Sequence, residues 1–423
     1  MRSRKKIIFF LVAAISVILV ITLMKSSSIY DENIPETACP KKLNEVLTNE
    51  IAANPGMHSL DSAMNSYLKA NHIHGLSLAI VRNDSLLFAK GYGEADKSVP
   101  VEPGTLFRLA SVSKLITATG IMALVDRGRL SLNETVLGPH GILYKYPVCD
   151  PEYEKITVED LLRHEGGFRY AVDDPLFSTR KQIIKNGWSV TPDADMLINA
   201  ALKERLPVRH GTEAHYSNLG YLLLSRIIEA RTGESYDSWM QRNVLNPAGC
   251  FDMHIAGNFY KDRLPNETRY YVQPEEKAVD CFDNSGRKVE RCYGENDIPT
   301  LSGAGAWMAS APELARFIAS IDGNPLVPDV ITIDSFLNMT EDVGDDRFSL
   351  GWNGTSYEGE WSRTGSFAGT NALIKRFPEG DIWVLIANTS TRRGSRQSNY
   401  MAKLIRECRE SYIEALPSQD LFN

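Results

Sequence analysis

The stretch Phe107-Arg-Leu-Ala-Ser-Val-Ser-Lys-Leu-Ile-Thr-Ala-Thr-Gly-Ile-Met-Ala-Leu-Val125 sets Ser111 and Lys114 one helical turn apart, ahead of a run whose first charge is Asp126. From Leu115 to Val125 only Thr117, Thr119 and Gly120 interrupt the apolar residues. A helix apolar on every side is a buried helix, so Lys114 is expected to leave bulk water with it. In the first turn it also faces the positive end of the helix dipole. Both effects disfavour the ammonium, and a lysine driven toward neutrality can take a proton from a neighbouring hydroxyl. The residues alone leave a second reading open, in which Ser111 simply caps the helix.

Ser-x-x-Lys recurs at Ser66–Lys69, Ser178–Lys181 and Ser285–Lys288. The first lies on an amphipathic segment, the second in a charged run and the third in a turn. Of these four, the pair at 111 and 114 is the one that opens an apolar helix, and there the lysine is expected to be desolvated.

The 423 residues leave room for a large core or several domains. The composition, 43% hydrophobic and 23% charged, is that of a globular protein. The 46 basic and 53 acidic side chains give a net charge of −7, with no basic run beyond residue 6, which excludes a nucleic-acid partner from the expectations. Arg2, Arg4, Lys5 and Lys6 precede a charge-free segment, 7–24. As a helix it would span roughly 27 Å, close to a bilayer core. It lacks a small-x-small cleavage site and a lipoprotein cysteine, so an uncleaved membrane anchor is favoured over a cleaved signal peptide. In either case the remainder is exported. Residues 25–57, with Pro35, Pro40 and Pro55, read as a polar tether. The six cysteines stand at 39, 149, 250, 281, 292 and 408. Export permits disulfides, and Cys281–Cys292, bracketing the turn Asp283-Asn-Ser-Gly286, is the most plausible pair. The alternative is six separate buried thiols. The chain has no Cys-x-x-Cys.

Leu60–Ala70 reads as an amphipathic helix, and Ser77–Val81 and Leu86–Tyr92 as strands joined at Arg82-Asn-Asp84. A helical stretch follows. It includes the helix after Ser111, a capping box at Thr157 and Asp160, and a helix from Leu219 to Ala230 ended at Gly233. Ser310-Ala-Pro-Glu313 caps a further helix through Ile321. Strands are expected around 360–362, 372–377 and 382–388, and a closing helix from about Gln397 to Leu416. With strands at both ends of the chain, one antiparallel sheet would bring the termini together beside the helical part.

A Ser-Lys nucleophile needs a second proton-transfer group and donors for the oxyanion. His215-Tyr216-Ser217-Asn218 supplies a tyrosine and an asparagine just before an apolar helix, and Tyr-x-Asn occurs once in the chain. Read alone, it also fits a helix entry with a capping Ser217 or Asn218. Arg363-Thr364-Gly365-Ser366 lies in a strand-like region continuing to Ala372, where Thr364 and the following backbone groups would lie against a substrate on an edge strand. The bland reading is an ordinary exposed strand. His72-Ile-His74 lacks the acidic third ligand of a metallohydrolase, and His164-Glu165 has no second histidine four residues on. No Gly-x-Ser-x-Gly elbow or phosphate loop is present, and neither metal nor cofactor is expected.

Together the three pieces resemble the penicillin-recognising serine hydrolases, in the branch of class C β-lactamases, D-alanyl-D-alanine carboxypeptidases and related esterases. Ser-x-x-Lys, Tyr-x-Asn and a Lys-Thr-Gly or His-Thr-Gly strand mark that branch in this order. Ile156-Thr-Val-Glu-Asp-Leu-Leu-Arg-His164, Tyr216-Ser-Asn-Leu-Gly-Tyr-Leu-Leu-Leu224 and Gly303-Ala-Gly-Ala-Trp-Met-Ala-Ser-Ala-Pro-Glu-Leu-Ala-Arg-Phe317 also resemble family phrases. The resemblance covers about residues 58–415, with 416–423 left as a tail. It implies an α/β (α+β) fold, an antiparallel sheet flanked by N- and C-terminal helices with an inserted, mostly helical lobe and the site in the cleft between them.

The resemblance further implies Ser111 as nucleophile, Lys114 as its base, and Tyr216 as the group that carries the proton to the leaving atom and later helps activate water. Asn218 would orient the acyl side chain, and the N–H groups of Ser111 and Ser366 would form the oxyanion hole. Arg363 stands where lysine or histidine is usual. Arginine stays charged but binds carboxylates with two prongs, so Arg363 is expected to hold a substrate carboxylate or to keep Tyr216 acidic. The leading expectation is a membrane-tethered hydrolase of D-amino-acid peptides, other amides or esters, with a peptide or small molecule as substrate. A true β-lactamase is the alternative within the enzyme class, and a non-hydrolytic sensor that binds penicillin or cell-wall peptides is the alternative outside it.

Overall fold

The computed structural model describes residues 41–51, 55–169, 174–274, 278–344 and 346–423. The charge-free segment 7–24 and Cys39 lie outside the described residues. Among the described residues no helix is long and apolar enough to cross a membrane.

Seven strands form one antiparallel sheet drawn from both ends of the chain. The N-terminal part contributes helix α1 (His58–Asn71), then β1 (Gly75–Arg82) and β2 (Ser85–Asp96). Between the two ends come the helices α2 (Ser113–Asp126), α3 (Asn218–Thr232) and α4 (Ala311–Ala319). The C-terminal part is a meander of β3 (Trp361–Phe367), β4 (Thr370–Arg376) and β5 (Ile382–Ala387), closed by α5 (Gln397–Tyr412). β5 pairs with β1, placing Leu78 opposite Leu385 and Ala79 opposite Val384. Two-residue strands at Gly354–Thr355 and Val99–Pro100 finish the two edges.

The sheet is covered on both faces, which is why its strands read as apolar runs rather than alternating ones. Leu76, Leu78, Ile80, Trp383 and Leu385 pack against Leu60, Met64 and Leu68 of α1 and Met401 and Ile405 of α5. The intervening Ala79, Val81, Val384 and Ile386 face the larger core that holds α2, α3 and α4. Each fully buried Leu or Ile here contributes about 1.5–3 kcal/mol relative to exposure.

Local signals account for the element ends. Asn83 and Asp84 both take positive φ, 51° and 57°, in the β1–β2 turn, as a two-residue turn matched to strand twist requires. Thr157 and Asp160 form the expected capping box, and Gly233 ends α3 at φ 75°. The Ser310 hydroxyl accepts from Glu313 N at the start of α4.

Four expectations need correction. Residues 41–51 are not a free tether: Leu43 and Leu47 enter the main core, and the Asn49 side chain donates to Val101 O at 2.7 Å and accepts from Gly91 N at 2.8 Å. Nor is 416–423 a loose tail, since Phe422 is buried and Leu421 N donates to Leu86 O at 2.8 Å. The strand-like region from Arg363 to Ala372 is a hairpin, turned at Gly369 with φ 86°. The hairpin around 283–286 is present, pairing Val279–Asp280 with Lys288–Val289. Its expected disulfide is not, and Cys281 and Cys292 are free thiols. Cys292 packs with Tyr270 and Tyr293, whereas Cys281 Sγ faces the Arg287 guanidinium at 3.6 Å.

Candidate active site

Ser111 sits in a single 3-10 turn, Ala110–Val112, that feeds α2. Ala110 holds φ at 48°, a left-handed conformation that costs a non-glycine residue about 1–3 kcal/mol and persists only where the surroundings impose it. No side chain caps α2, so Ser111 is not the helix cap. α2 itself buries every residue from Ser113 to Leu124. At Gly120 a Cβ would collide with Met240 Sδ, so glycine permits the close approach of Met240 to the helix.

Lys114 is buried, and its Nζ reaches Ala304 O at 2.6 Å, Asn218 Oδ1 at 2.7 Å and Ser111 Oγ at 3.3 Å, and is hydrogen-bonded to the Tyr216 side chain as well. It also lies 4.7 Å from the centre of the Tyr216 ring. Burial, joined by the Arg363 charge, pushes the Lys114 ammonium below its ordinary range. A neutral amine has two N–H bonds. The carbonyl oxygens of Ala304 and Asn218 can accept both, which leaves the lone pair for the hydroxyls of Ser111 and Tyr216.

Tyr216 precedes α3, with Ser217 as the helix N-cap. Its ring is 39% exposed, and Arg363 Nη2 donates to its hydroxyl at 3.4 Å. Desolvation would raise this phenol, but Lys114 and Arg363 outweigh it and hold the group below its ordinary range. Behind it stands His164, whose ring centre is 4.5 Å from that of Tyr216. His164 Nδ1 accepts from Ser217 N at 3.1 Å, and burial beside Lys114 and Arg363 keeps its imidazole neutral. In the sequence His164 stood out as a failed metal motif and as the last residue of a family-like phrase, with no role given to it. Here it fixes the backbone that presents Tyr216.

Asn218 has both ends of its amide engaged. Oδ1 faces Lys114, and Nδ2 donates to Asp174 Oδ2 at 2.7 Å. Asp174 was not singled out in the sequence, because the loop that carries it has no periodicity or motif. Ala304 was missed for a similar reason: its contribution is a backbone carbonyl, which no side-chain pattern signals.

Arg363 is completely buried. Its Nε and Nη2 both donate to Ser111 O, at 2.9 and 2.6 Å, and its Nη1 is buried without a hydrogen-bond partner, so no donor of the guanidinium is presented to the cleft. Of the two roles expected for it, holding a substrate carboxylate does not fit this placement, whereas acting on Tyr216 does. Thr364 is also engaged: its N–H and hydroxyl both donate to Asn353 Oδ1, at 2.7 and 3.0 Å. The Thr364 hydroxyl is thus held at the sheet edge and not presented to a substrate. N–H groups two residues apart point the same way along a strand, so the Ser366 N–H faces the open edge beyond Asn353. Gly365 lies tight against the Ser111 turn, where an added Cβ would sit 3.0 Å from Ser111 N and 3.1 Å from Val112 N. Beside this edge opens a cleft of about 480 Å³ lined by Phe177, Glu295, Asn296, Ser366, Phe367 and Arg392.

The structure therefore brings Ser111, Lys114, Tyr216, Asn218 and the strand 363–366 to one place. A family model described as Beta-lactamase matches residues 60–406. Protein flp of Staphylococcus aureus (strain NCTC 8325 / PS 47) is 30% identical over 360 residues, covering 83% of this chain and 66% of that protein. The chain thus spans just under two thirds of that relative's length. The putative penicillin-binding protein PbpX of Bacillus subtilis (strain 168) is 25% identical over 399 residues, covering 91% of this chain and 90% of the relative. The solved D-amino acid amidase from Ochrobactrum anthropi SV3, complexed with D-phenylalanine, matches with a TM-score of 0.64 at 19% identity, over 84% of this chain and 99% of that one. At that identity the likeness is one of fold.

Proposed function

The chain belongs to the beta-lactamase family and is a serine hydrolase, and we propose that Ser111, Lys114 and Tyr216 are its catalytic groups. The observation that supports this reading is the desolvated Lys114, with Ala304 O and Asn218 Oδ1 to accept its N–H bonds, Ser111 Oγ at 3.3 Å and the Tyr216 side chain hydrogen-bonded to it. Ser111 Oγ gives its proton to Lys114 Nζ and attacks the carbonyl carbon. The oxyanion is received by the N–H groups of Ser111 and Ser366. Tyr216 Oη then passes its proton to the departing nitrogen or oxygen, and Lys114 returns a proton to Tyr216, leaving an acyl-Ser111. For hydrolysis, Lys114 first takes the proton of Tyr216. The phenolate removes a proton from water, the resulting hydroxide attacks the acyl carbon, and Lys114 reprotonates the released Ser111. Arg363 supports both stages by anchoring the Ser111 backbone and by favouring the Tyr216 phenolate.

Amides or esters of D-amino acids and small D-amino-acid peptides are the proposed substrates. The D-amino acid amidase of the same fold supports that choice, as does a cleft that mixes the rings of Phe177 and Phe367 with Arg291, Arg392 and Glu295. The basic residues 2–6 followed by the charge-free 7–24 support an exported, N-terminally anchored enzyme.

The test uses the full chain in detergent with a chromogenic ester and a fluorescent penicillin. Ester turnover that is lost in Ser111→Ala supports the hydrolase. A stable penicillin adduct with no turnover of any ester would make the protein a sensor, and neither labelling nor turnover would overturn the site.

A further inference from the structure

We propose that Asp174 is a positioning residue: it dictates which end of the Asn218 amide faces Lys114, and thereby keeps the lysine lone pair available to Ser111. The inference rests on the catalytic reading given above.

A side-chain amide offers an acceptor at one end and a donor at the other, and its two orientations fill almost the same space. At Asn218 that choice decides the state of the site. With Oδ1 toward Lys114, the amide takes one of the amine's N–H bonds. Flipped, it would present an N–H to Lys114, and the lone pair of a neutral amine would turn to that donor instead of to Ser111. Burial pushes the Asp174 carboxyl up, opposed by its bonds from Asn218 and Leu176 N and by Lys114; in its ionised form it only accepts, and so admits only the first orientation of the amide. Asp174 Oδ2 stands on the far side of the amide, 2.7 Å from Asn218 Nδ2. Its own placement is fixed, since Oδ1 accepts from Leu176 N at 2.9 Å. The same turn brings Phe177 within 5.6 Å of Phe367, ring centre to ring centre, at the end of the strand that carries Ser366. One N–H of Asn218 remains for an acyl group.

Asp174→Leu, Asn218→Ala and the double variant would be measured as full chains with a chromogenic ester, with Ser111→Ala as control. Asp174→Leu is expected to lower kcat by about 10- to 100-fold with little change in KM, the scale of a misdirected catalytic group. In the Asn218→Ala background it is expected to have no further effect. Asp174→Asn has only one acceptor oxygen to share between Leu176 N and Asn218 Nδ2 and would present a donor to one of them, so it too should lower kcat. An equal loss from Asp174→Leu in both backgrounds would mean that it only supports the loop, and would overturn the inference. If Asp174→Leu does not fold, Asp174→Ser carries the test: the shorter side chain still accepts from Leu176 N but does not reach Asn218. Turnover that survives Ser111→Ala would instead remove the catalytic reading itself, whatever Asp174 does.

Discussion

Arg363 grips Ser111 by its backbone carbonyl, through two donors at 2.9 and 2.6 Å. That grip depends on a planar fork, which lysine lacks. Arg363→Lys keeps the charge beside Tyr216 but loses one prong, and is expected to lower kcat about 10-fold through misplacement of the nucleophile. Because the guanidinium is buried away from the cleft, the loss should be the same for a neutral ester and a carboxylate-bearing one. A loss confined to the carboxylate-bearing ester would return Arg363 to substrate binding.

If Lys114 is the base of the proposed acylation it must be neutral, so kcat/KM should rise with pH as this group loses its proton, below the ordinary lysine range. Arg363 contributes to the depression through like-charge repulsion. Arg363→Met should therefore move the rising limb to higher pH, whereas Arg363→Lys should leave it in place. Steady-state profiles of the three proteins check this, and identical limbs in all three would contradict it.

Gly365→Ala places a methyl 3.0 Å from Ser111 N and closer still to Leu109 O. Backbone on both sides leaves no flexible side chain to yield, so β3 must shift away from the Ser111 turn. The expected cost is about 1–3 kcal/mol in urea unfolding, together with a fall in kcat of at least about 10-fold as the oxyanion donors separate. Unchanged kcat would show that the strand and the turn move together.

Glu313 is fully buried at the start of α4, accepting from Phe251 N at 2.8 Å and Asp252 N at 3.1 Å through one oxygen. Its other oxygen and Asn44 Oδ1 are both buried without a hydrogen-bond partner. Burial raises its pKa from 4.5 to about 7. The folded state then keeps a proton that the unfolded chain has released, so stability falls as pH rises between these two values. At pH 8 the buried anion costs about 2–3 kcal/mol, a cost absent at pH 4. Glu313→Gln should recover most of it at pH 8 and little at pH 4, measured by urea unfolding. An equal gain at both pH values would exclude ionisation as the cause.

The sheet and its flanking helices were legible because their signals are local: apolar runs bounded by Asn83-Asp84 and Pro378-Glu-Gly380, the capping box at Thr157, and Gly233 at a helix end. The convergence of Ser111, Lys114, Tyr216 and Asn218 was legible because each stands in a short stretch whose side chains and chain neighbours single it out. The docking of Leu43 and Phe422 was not, since a short apolar residue in a polar segment carries no period. The supposed Cys281–Cys292 bond failed for a related reason: a hairpin brings two positions near each other without setting where their side chains point.

Taken alone, the sequence determines that a lysine one turn from a serine enters an apolar helix and leaves bulk water with it. Periodicity and charge, which are properties of contiguous residues, suffice for that. Only the tertiary structure decides what the pair faces. Arg363 turns out to hold Ser111 rather than a substrate, Asp174 and Ala304 fix the acceptors around Lys114, and Gly365 sets how closely the strand approaches. Those relationships join residues far apart in the chain, and hydrogen-bond direction at 3 Å is set by the packing that brings them together.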